Sequence, residues 1–492
     1  MKQLFLASTF FELVCLAAGI DSGVYDSTAA PALLGTDGVE PADSLTADRN
    51  GPPRQGDRER ILLLSNNAAV LELARPITST PGAESLLARF DRVVDLNAAI
   101  SPAHPSQWRP GHNDLPMVEA HLRACWDLGK DDIELVLESP QVNPAIALGR
   151  VFSSATIRVH ADGLMSYGPT RNQIPLSSGQ RMSTLHYLPL VSGLQPRLLA
   201  EFGIVPEPMS IDAFRTVVTE IGDATAEELD SIFREDWTGG EWALAVGQYL
   251  AALNLITEEE ETALHVEMIT QAADRGFTRV VFKPHPAAPP AQLDQLFDVA
   301  DRFDVALTVL EVPALAEVIV DRFRPGLIIG GFSTALATAR AVFGVPALAV
   351  GTDMLLESIT PYQNSNRIPL TIISELCDGS DPAAESEPPE LNTLVDAVAY
   401  CMAPEFSRDI RADTQAYLER HVGGDGDEDR SEESQVSRYF KRRRLTSLRL
   451  PGGTVSPIAP RRVIRRAGAL ALRAVKRQQG RVIERTASWR TN

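Results

Sequence analysis

The sequence lacks three things, and each absence removes a class of protein. There is no apolar run of the roughly 18 residues needed to cross a bilayer as a helix, because charge interrupts every candidate within about a dozen residues. Cysteine is scarce: Cys15, Cys125, Cys377 and Cys401 stand far apart with no paired spacing. That pattern excludes a zinc ribbon or a disulfide scaffold and fits a reducing compartment. The segments expected to line a crevice hold no Asp-x-Asp pair, which points away from chemistry built on a metal held by two carboxylates. Hydrophobic residues make up 44% of the 492, enough for a globular core and too many for a disordered or collagen-like chain.

Charge is unevenly spread. The net charge is −19, yet the tail from Lys441 to Asn492 holds 15 Lys/Arg against the single acid Glu484. The tail therefore carries +14 and the rest of the chain −33. Within it, Val463–Ala474 sets Arg465, Arg466 and Arg473 among Ile464, Leu470 and Leu472, the pattern of a basic amphipathic helix. Such a helix suits an anionic membrane surface, or equally the acidic body of the same chain. Nucleic acid is not expected as a partner, since aromatic residues are absent from the tail apart from Trp489 and the body would repel a polyanion. The expected location is cytoplasmic, with attachment to the inner face of the membrane as the open alternative. The opening Met1-Lys2 and the apolar residues after it could be read as a secretory signal. Ser8, Thr9 and Glu12 break the apolar stretch, however, and favour a buried strand running into a helix.

Short apolar strands alternate with helical stretches through most of the chain. The expected strands of the first half are Leu4–Ala7, Ile61–Ser65, Arg92–Leu96, Ile133–Leu137 and Thr156–His160, with helices from Phe10 to about Ala18 and from Ser139-Pro140 to about Phe152. Residues 27–58 read as a flexible insertion. The second half repeats the scheme at Ala243–Gly247, Arg279–Lys283, Val305–Leu310, Gly326–Ile329, Ala347–Val350 and Leu370–Ile373. Helices are expected over Glu258–Asp274 and from Pro313. Alternation of this kind implies parallel sheets built of βαβ units. The expectation is thus an α/β protein of two Rossmann-like domains facing a central cleft, the GT-B architecture, with a basic C-terminal tail. Its boundaries are 1–195 for the acceptor-side domain, 196–236 for a helical linker, 237–405 for the donor domain, and 406–492 for an acidic loop and the tail. Ligands of such sheets bind beyond the carboxyl ends of the strands.

Three motifs fall at those ends. His160-Ala161-Asp162-Gly163 places a carboxylate where it could accept a proton, although an Asp-Gly turn would look the same. In Lys283-Pro284-His285-Pro286 two prolines fix a histidine on a stiff corner beside a cation, suited to a leaving phosphate. Gly330-Gly331-Phe332-Ser333-Thr334 precedes a helix, so Gly331 allows close backbone approach while Ser333 and Thr334 stand at an anion-favouring helix N-terminus. Glu311, at another strand end, is a candidate for the nucleotide ribose or base. Thr9, His160 and Asn364, the last within Tyr362–Arg367, are candidates for the acceptor side of the cleft, and His104, Pro105 and Trp108 could shape it too.

The order of an acidic-Gly, a His-Pro and a Ser/Thr motif resembles the bacterial sialyltransferases. The opening Leu6-Ala7-Ser8-Thr9, Lys283-Pro284-His285-Pro286 and Gly331-Phe332-Ser333-Thr334 narrow the resemblance to the bacterial α-2,8-polysialyltransferase-like family, over roughly residues 1–375 without the insertion. The resemblance implies inverting transfer of sialic acid from CMP-sialic acid to a glycan hydroxyl, without a metal or other cofactor. It implies Asp162 as general base, His285 as the group assisting departure of CMP, and Ser333 and Thr334 as its phosphate site. The chain departs from the family at Ala161, where a second acid usually precedes the glycine. Two other readings stay open: a catalytically silent GT-B protein that binds a nucleotide or glycan, and a GT-B transferase using CMP-Kdo or a UDP-sugar.

Overall fold

The computed structural model describes residues 1–27, 58–68, 76–138, 140–233, 241–285, 293–377, 390–421 and 438–453. The insertion at 28–57, Pro286, the acidic stretches, and the amphipathic segment 463–474 lie outside them. Two compact units divide the chain, Met1–Lys441 and Arg442–Asn492. The described part of the second contains a short helix, Arg442–Leu448.

The first unit is built on two wholly parallel sheets. In the first, β1 (Lys2–Ala7), β2 (Glu59–Leu64), β3 (Arg92–Asp95), β4 (Ile133–Glu138), β5 (Thr156–Ala161), β6 (Met182–Tyr187) and β7 (Val205–Pro208) run in the order β3-β2-β1-β4-β5-β6-β7. In the second, β8 (Ala243–Val246), β9 (Arg279–Lys283), β10 (Ala306–Val309), β11 (Leu327–Gly330) and β12 (Ala347–Ala349) run β10-β9-β8-β11-β12. Each sheet therefore reverses its winding beside its first strand, between β1 and β4 and between β8 and β11. The crevice at such a reversal is where open α/β sheets bind ligands. The fold is α/β, two Rossmann-like halves of the GT-B type.

Burial explains why the strands read as unbroken apolar runs. Leu4, Phe5, Ile61, Leu62, Leu135, Val136, Val280, Val281, Ile328 and Ile329 are all fully buried, as expected where helices cover both faces of a parallel sheet. Of the polar exceptions, Glu134 is paired, while Gln3 Oε1 and His160 Nδ1 take no hydrogen bond among the described residues. Glu134 accepts from Gln3 Nε2 at 2.6 Å and from Arg158 Nε at 2.9 Å, which ties β1, β4 and β5 together through a buried ion pair.

Several expectations need correction. Leu370–Ile373 is not a strand; it lies inside the helix Arg367–Cys377. A short apolar run does not distinguish the two states, and the deciding feature is Pro369 in the first helical turn, where its missing N–H costs nothing. The helix expected from Ser139-Pro140 begins only at Ala145. Pro144 is its N-cap. The segment 196–236 is not purely helical. It gives β7 to the first sheet before the helices Ile211–Ala224 and Ala226–Asp230. The sequence of β7, Val-Pro-Glu-Pro, can be a strand only at a sheet edge, where absent N–H donors are tolerated; β6 was likewise unforeseen.

Candidate active site

The first wall of the cleft is made at the ends of β1 and β5. Leaving β1, the chain turns at Ser8 and Thr9 into the helix Phe10–Asp21. Thr9 Oγ1 accepts from the Glu12 amide at 3.1 Å, and Glu12 Oε2 accepts from the amides of Ser8 at 2.5 Å and Thr9 at 3.3 Å. This is a capping box, and Thr-x-x-Glu is its sequence signature. Thr9, expected to line the cleft, is thus exposed and engaged in capping. His160, at the end of β5, is only 1% exposed. Its Nε2 lies 3.4 Å from the Leu6 carbonyl, and burial pushes it down to about 4. A neutral, core-packed imidazole of this kind braces β5 against β1. Asp162 is partly exposed one step beyond the strand, and burial of its carboxyl pushes it above the usual carboxylate range.

The second wall is made at the ends of β8, β9 and β11. Ser333 caps the helix Thr334–Phe343, its Oγ accepting from the Ala335 amide at 3.2 Å. Gln248 Oε1, just after β8, accepts from the Phe332 amide at 3.0 Å and so pins the glycine loop. A Cβ on Gly331 would stand 2.6 Å from Gln248 Oε1, so a side chain there would have to displace that oxygen, the acceptor of the Phe332 amide. His285 packs against Tyr249, with ring centroids 4.1 Å apart. Burial first, then the charge of Lys283, pushes the imidazole down to about 4. Lys283 is itself 7% exposed and lowered by burial, an effect that Glu317 partly offsets. Glu317, raised by burial, accepts from Thr338 Oγ1 at 3.0 Å within the helix that Ser333 opens.

The two walls meet. A Cβ on Gly163 would lie 2.9 Å from Thr334 Oγ1, so the Asp-Gly turn of the first half touches the Ser/Thr motif of the second. The Asp-Gly and Ser/Thr motifs, about 170 residues apart in the chain, are therefore in contact. Gly163 is in extended backbone, and an alanine there is strained only by its contact with Thr334. Gly163→Ala should lower turnover about tenfold to a hundredfold by displacing Thr334. Its melting temperature should stay within a few degrees of wild type, which thermal unfolding beside an activity assay would show.

Other candidates lie elsewhere. Glu311 is exposed, and the buried acid of this wall is Glu317. Asn364 Oδ1 accepts from the Asn366 amide at 3.0 Å and shapes its own turn. Its neighbour Ser365 accepts from Arg171 Nη1 at 2.8 Å, a bond between segments of the two halves. His104 is bound to the Ala68 carbonyl at 3.0 Å and Trp108 is buried, which makes that loop a packed one. Glu12, Gln248, Tyr249 and Glu317 were not foreseen. For Glu12 the capping signature was available; for Gln248 and Tyr249 the signal was their position after the first strand of the second sheet.

A model of the alpha-2,8-polysialyltransferase (POLYST) family matches residues 48–352, more than half of the chain. The chain belongs to that family. It is a glycosyltransferase, of the class that transfers sialic acid. Its donor and acceptor are accordingly a nucleotide sugar and a glycan. A search of the curated proteins gives no match. Among solved structures, the chain is similar to the UDP-GlcNAc 2-epimerase of Methanocaldococcus jannaschii, at 13% identity over 71% of this chain and 84% of that one, with a TM-score of 0.40. It is also similar to the GT-B domain of the sialyltransferase of Photobacterium damselae, at 12% identity over 76% and 96%, with a TM-score of 0.38. For this family member the assignment thus comes from the sequence match.

Proposed function

We propose that the protein transfers sialic acid from CMP-sialic acid to a glycan hydroxyl with inversion and without a metal. The observation that supports this reading is the contact of Gly163 with Thr334, which brings the turn carrying Asp162 against the N-terminus of the helix Thr334–Phe343. In the proposed step the acceptor O–H gives its proton to Asp162 while its oxygen bonds to the anomeric carbon. The bond from that carbon to the phosphate oxygen breaks, and CMP leaves with the electron pair. Attack from one wall and departure toward the other is the geometry of inversion.

Each residue's role follows from its surroundings. His285 is neutral when the site is empty, and the charge of an arriving phosphate favours its protonated form, so it can donate to the departing oxygen. Ser333, Thr334 and the backbone at Gly331 receive the phosphate at the start of a ten-residue helix, where partial positive charge favours an anion. Lys283, whose protonated form is disfavoured by burial and favoured by Glu317, adds positive charge when protonated. Positive groups of the chain are thereby assigned the task that a divalent ion would otherwise perform. Among the described residues no group of three or more His, Cys, Asp or Glu side chains is placed to hold a metal ion.

The reading extends to location. None of the described helices is long and apolar enough to cross a membrane. The tail's charge of +14 supports docking on an anionic surface from the cytoplasmic side, where each basic residue near the surface adds about 1 kcal/mol. CMP release from CMP-sialic acid in the presence of a chelator tests the chemistry. Wild type should turn over unchanged by the chelator, and His285→Ala should be slower by about 10²–10⁴. Turnover that requires an added divalent ion, or an unimpaired His285→Ala, would contradict the mechanism.

A further inference from the structure

The corner that carries His285 fixes a backbone and leaves a side chain free to turn. Pro284 sets its own φ, and His285, as the residue before Pro286, is held to extended geometry. Neither proline sets the side-chain torsions, and the last torsion of a histidine turns in a broad well. A group that must hand a proton to one particular oxygen needs that freedom removed. In this chain the neighbouring strand removes it.

Pairing of β8 with β9 continues one residue past the strand. Val246 lies opposite Lys283, and the Gly247 amide donates to the Lys283 carbonyl at 2.9 Å. Glycine suits this step because a Cβ there would stand 2.9 Å from the Phe282 ring. The next two residues are therefore laid beside Pro284 and His285. Both flanks of Tyr249 are held: Gln248 Oε1 accepts from the Phe332 amide, and the Leu250 amide donates to Glu261 Oε1 of the helix Glu258–Asp274. Between them the half-buried Tyr249 ring meets the half-buried imidazole, with centroids 4.1 Å apart and planes inclined at 38°. That is closer than the roughly 4.5–7 Å of most aromatic pairs, so no water fits between the rings.

We propose that Tyr249 is a positioning residue of the reaction, a ring platform that sets the His285 imidazole toward the departing phosphate oxygen. The inference rests on His285 assisting that departure. The face of a tyrosine suits this task in both protonation states. It packs against the neutral ring, and its negative face attracts the imidazolium that forms when phosphate arrives. The imidazole thus keeps its place while its charge changes. Gln248 of the same segment pins the glycine loop. The short step Gly247-Gln248-Tyr249 therefore orders both the histidine and the loop that leads into the helix Thr334–Phe343.

The test is steady-state CMP release from CMP-sialic acid by Tyr249→Leu, Tyr249→Phe, His285→Ala and the double variant of Tyr249→Leu with His285→Ala. Tyr249→Leu should lower kcat about tenfold to a hundredfold, the loss expected when a reacting group is slightly misplaced. Its KM for CMP-sialic acid should match wild type, because the interaction is made only in the transition state. Tyr249→Phe keeps the ring and should recover most of the rate. In the His285→Ala background, Tyr249→Leu should cost less than about twofold more, since the platform then has nothing to hold. Losses that multiply in the double variant, a rise in KM at unchanged kcat, or a Tyr249→Leu enzyme of wild-type rate each overturn the inference. His285→Ala at the wild-type rate overturns the underlying reading instead. A second measurement needs no variant of Tyr249 to fold. With histidine rings isotopically labelled, the carbon-bound protons of His285, assigned by their loss in His285→Ala, should be displaced in wild type by the tyrosine ring current. Signals at ordinary histidine positions overturn the contact.

Discussion

Asp162→Asn should fold at least as well as wild type and release CMP about 10²–10⁴-fold more slowly, the usual loss when a general base is removed. The two halves of this expectation have one cause. Burial of the Asp162 carboxyl raises it, which means that the fold carries the cost of holding a charge there. An amide of the same shape removes that cost, so thermal stability should hold or rise, most clearly above neutral pH. Activity should fall because an amide cannot accept the acceptor's proton. A variant that is slow and also unfolded would mean that Asp162 is structural, and a variant of normal rate would remove it from the mechanism. Calorimetry and the CMP assay on the same preparation separate these results. A stabilised but inactive variant is the signature of a site that trades stability for function.

Stability should also fall on both sides of a maximum near pH 6–7, for opposite reasons. On the acid side the relevant groups are histidines. Burial pushes His160, His265 and His285 from 6.5 down to about 4, and His186 to about 3, the last also opposed by the charge of Arg158. Below 6.5 the unfolded chain takes up protons that the fold refuses, so stability is lost as pH falls toward 4. For fully buried His160 the gap is worth roughly 3 kcal/mol, and the other buried rings add to it. On the alkaline side the relevant groups are acids that burial raises, Asp162 and Glu317 among them, and Glu12, moved from 4.5 to about 8. Between these values the unfolded chain has released a proton that the fold retains. Stability therefore falls with rising pH by about 1.4 kcal/mol per unit for that one group. Melting temperatures from pH 4 to 9 should trace this dome, and Glu12→Gln should flatten its alkaline limb. A wild-type curve that keeps rising to pH 9 would contradict the retained proton.

The sequence by itself determined the class of fold and which motifs follow the strand ends. Ten of the twelve strands were legible, because strands covered on both faces must be apolar throughout, and Leu4–Ala7 or Arg279–Lys283 could scarcely be anything else. The motifs at Asp162, His285 and Ser333-Thr334 were legible because each follows such a strand directly, and strand ends are where α/β sheets open. The errors share an origin in local signals that tertiary context overrides. Leu370–Ile373 has the composition of a strand and is buried as a helix. Val205–Pro208 has the composition of a loop and pairs as an edge strand. What only the tertiary structure decided is which residues meet. Gly163 and Thr334 stand far apart along the chain, and their contact depends on how two independently wound sheets face each other. Glu12 feels the charge of Asp162 because the strand order places β5 two positions from β1, a consequence of the winding reversal. Tyr249 and His285 approach because β8 and β9 are neighbours. Local propensity records none of these distances, since burial and charge coupling are properties of the packed molecule. The same packing raises several buried acids and lowers four histidines, which makes residues of ordinary sequence chemically distinct.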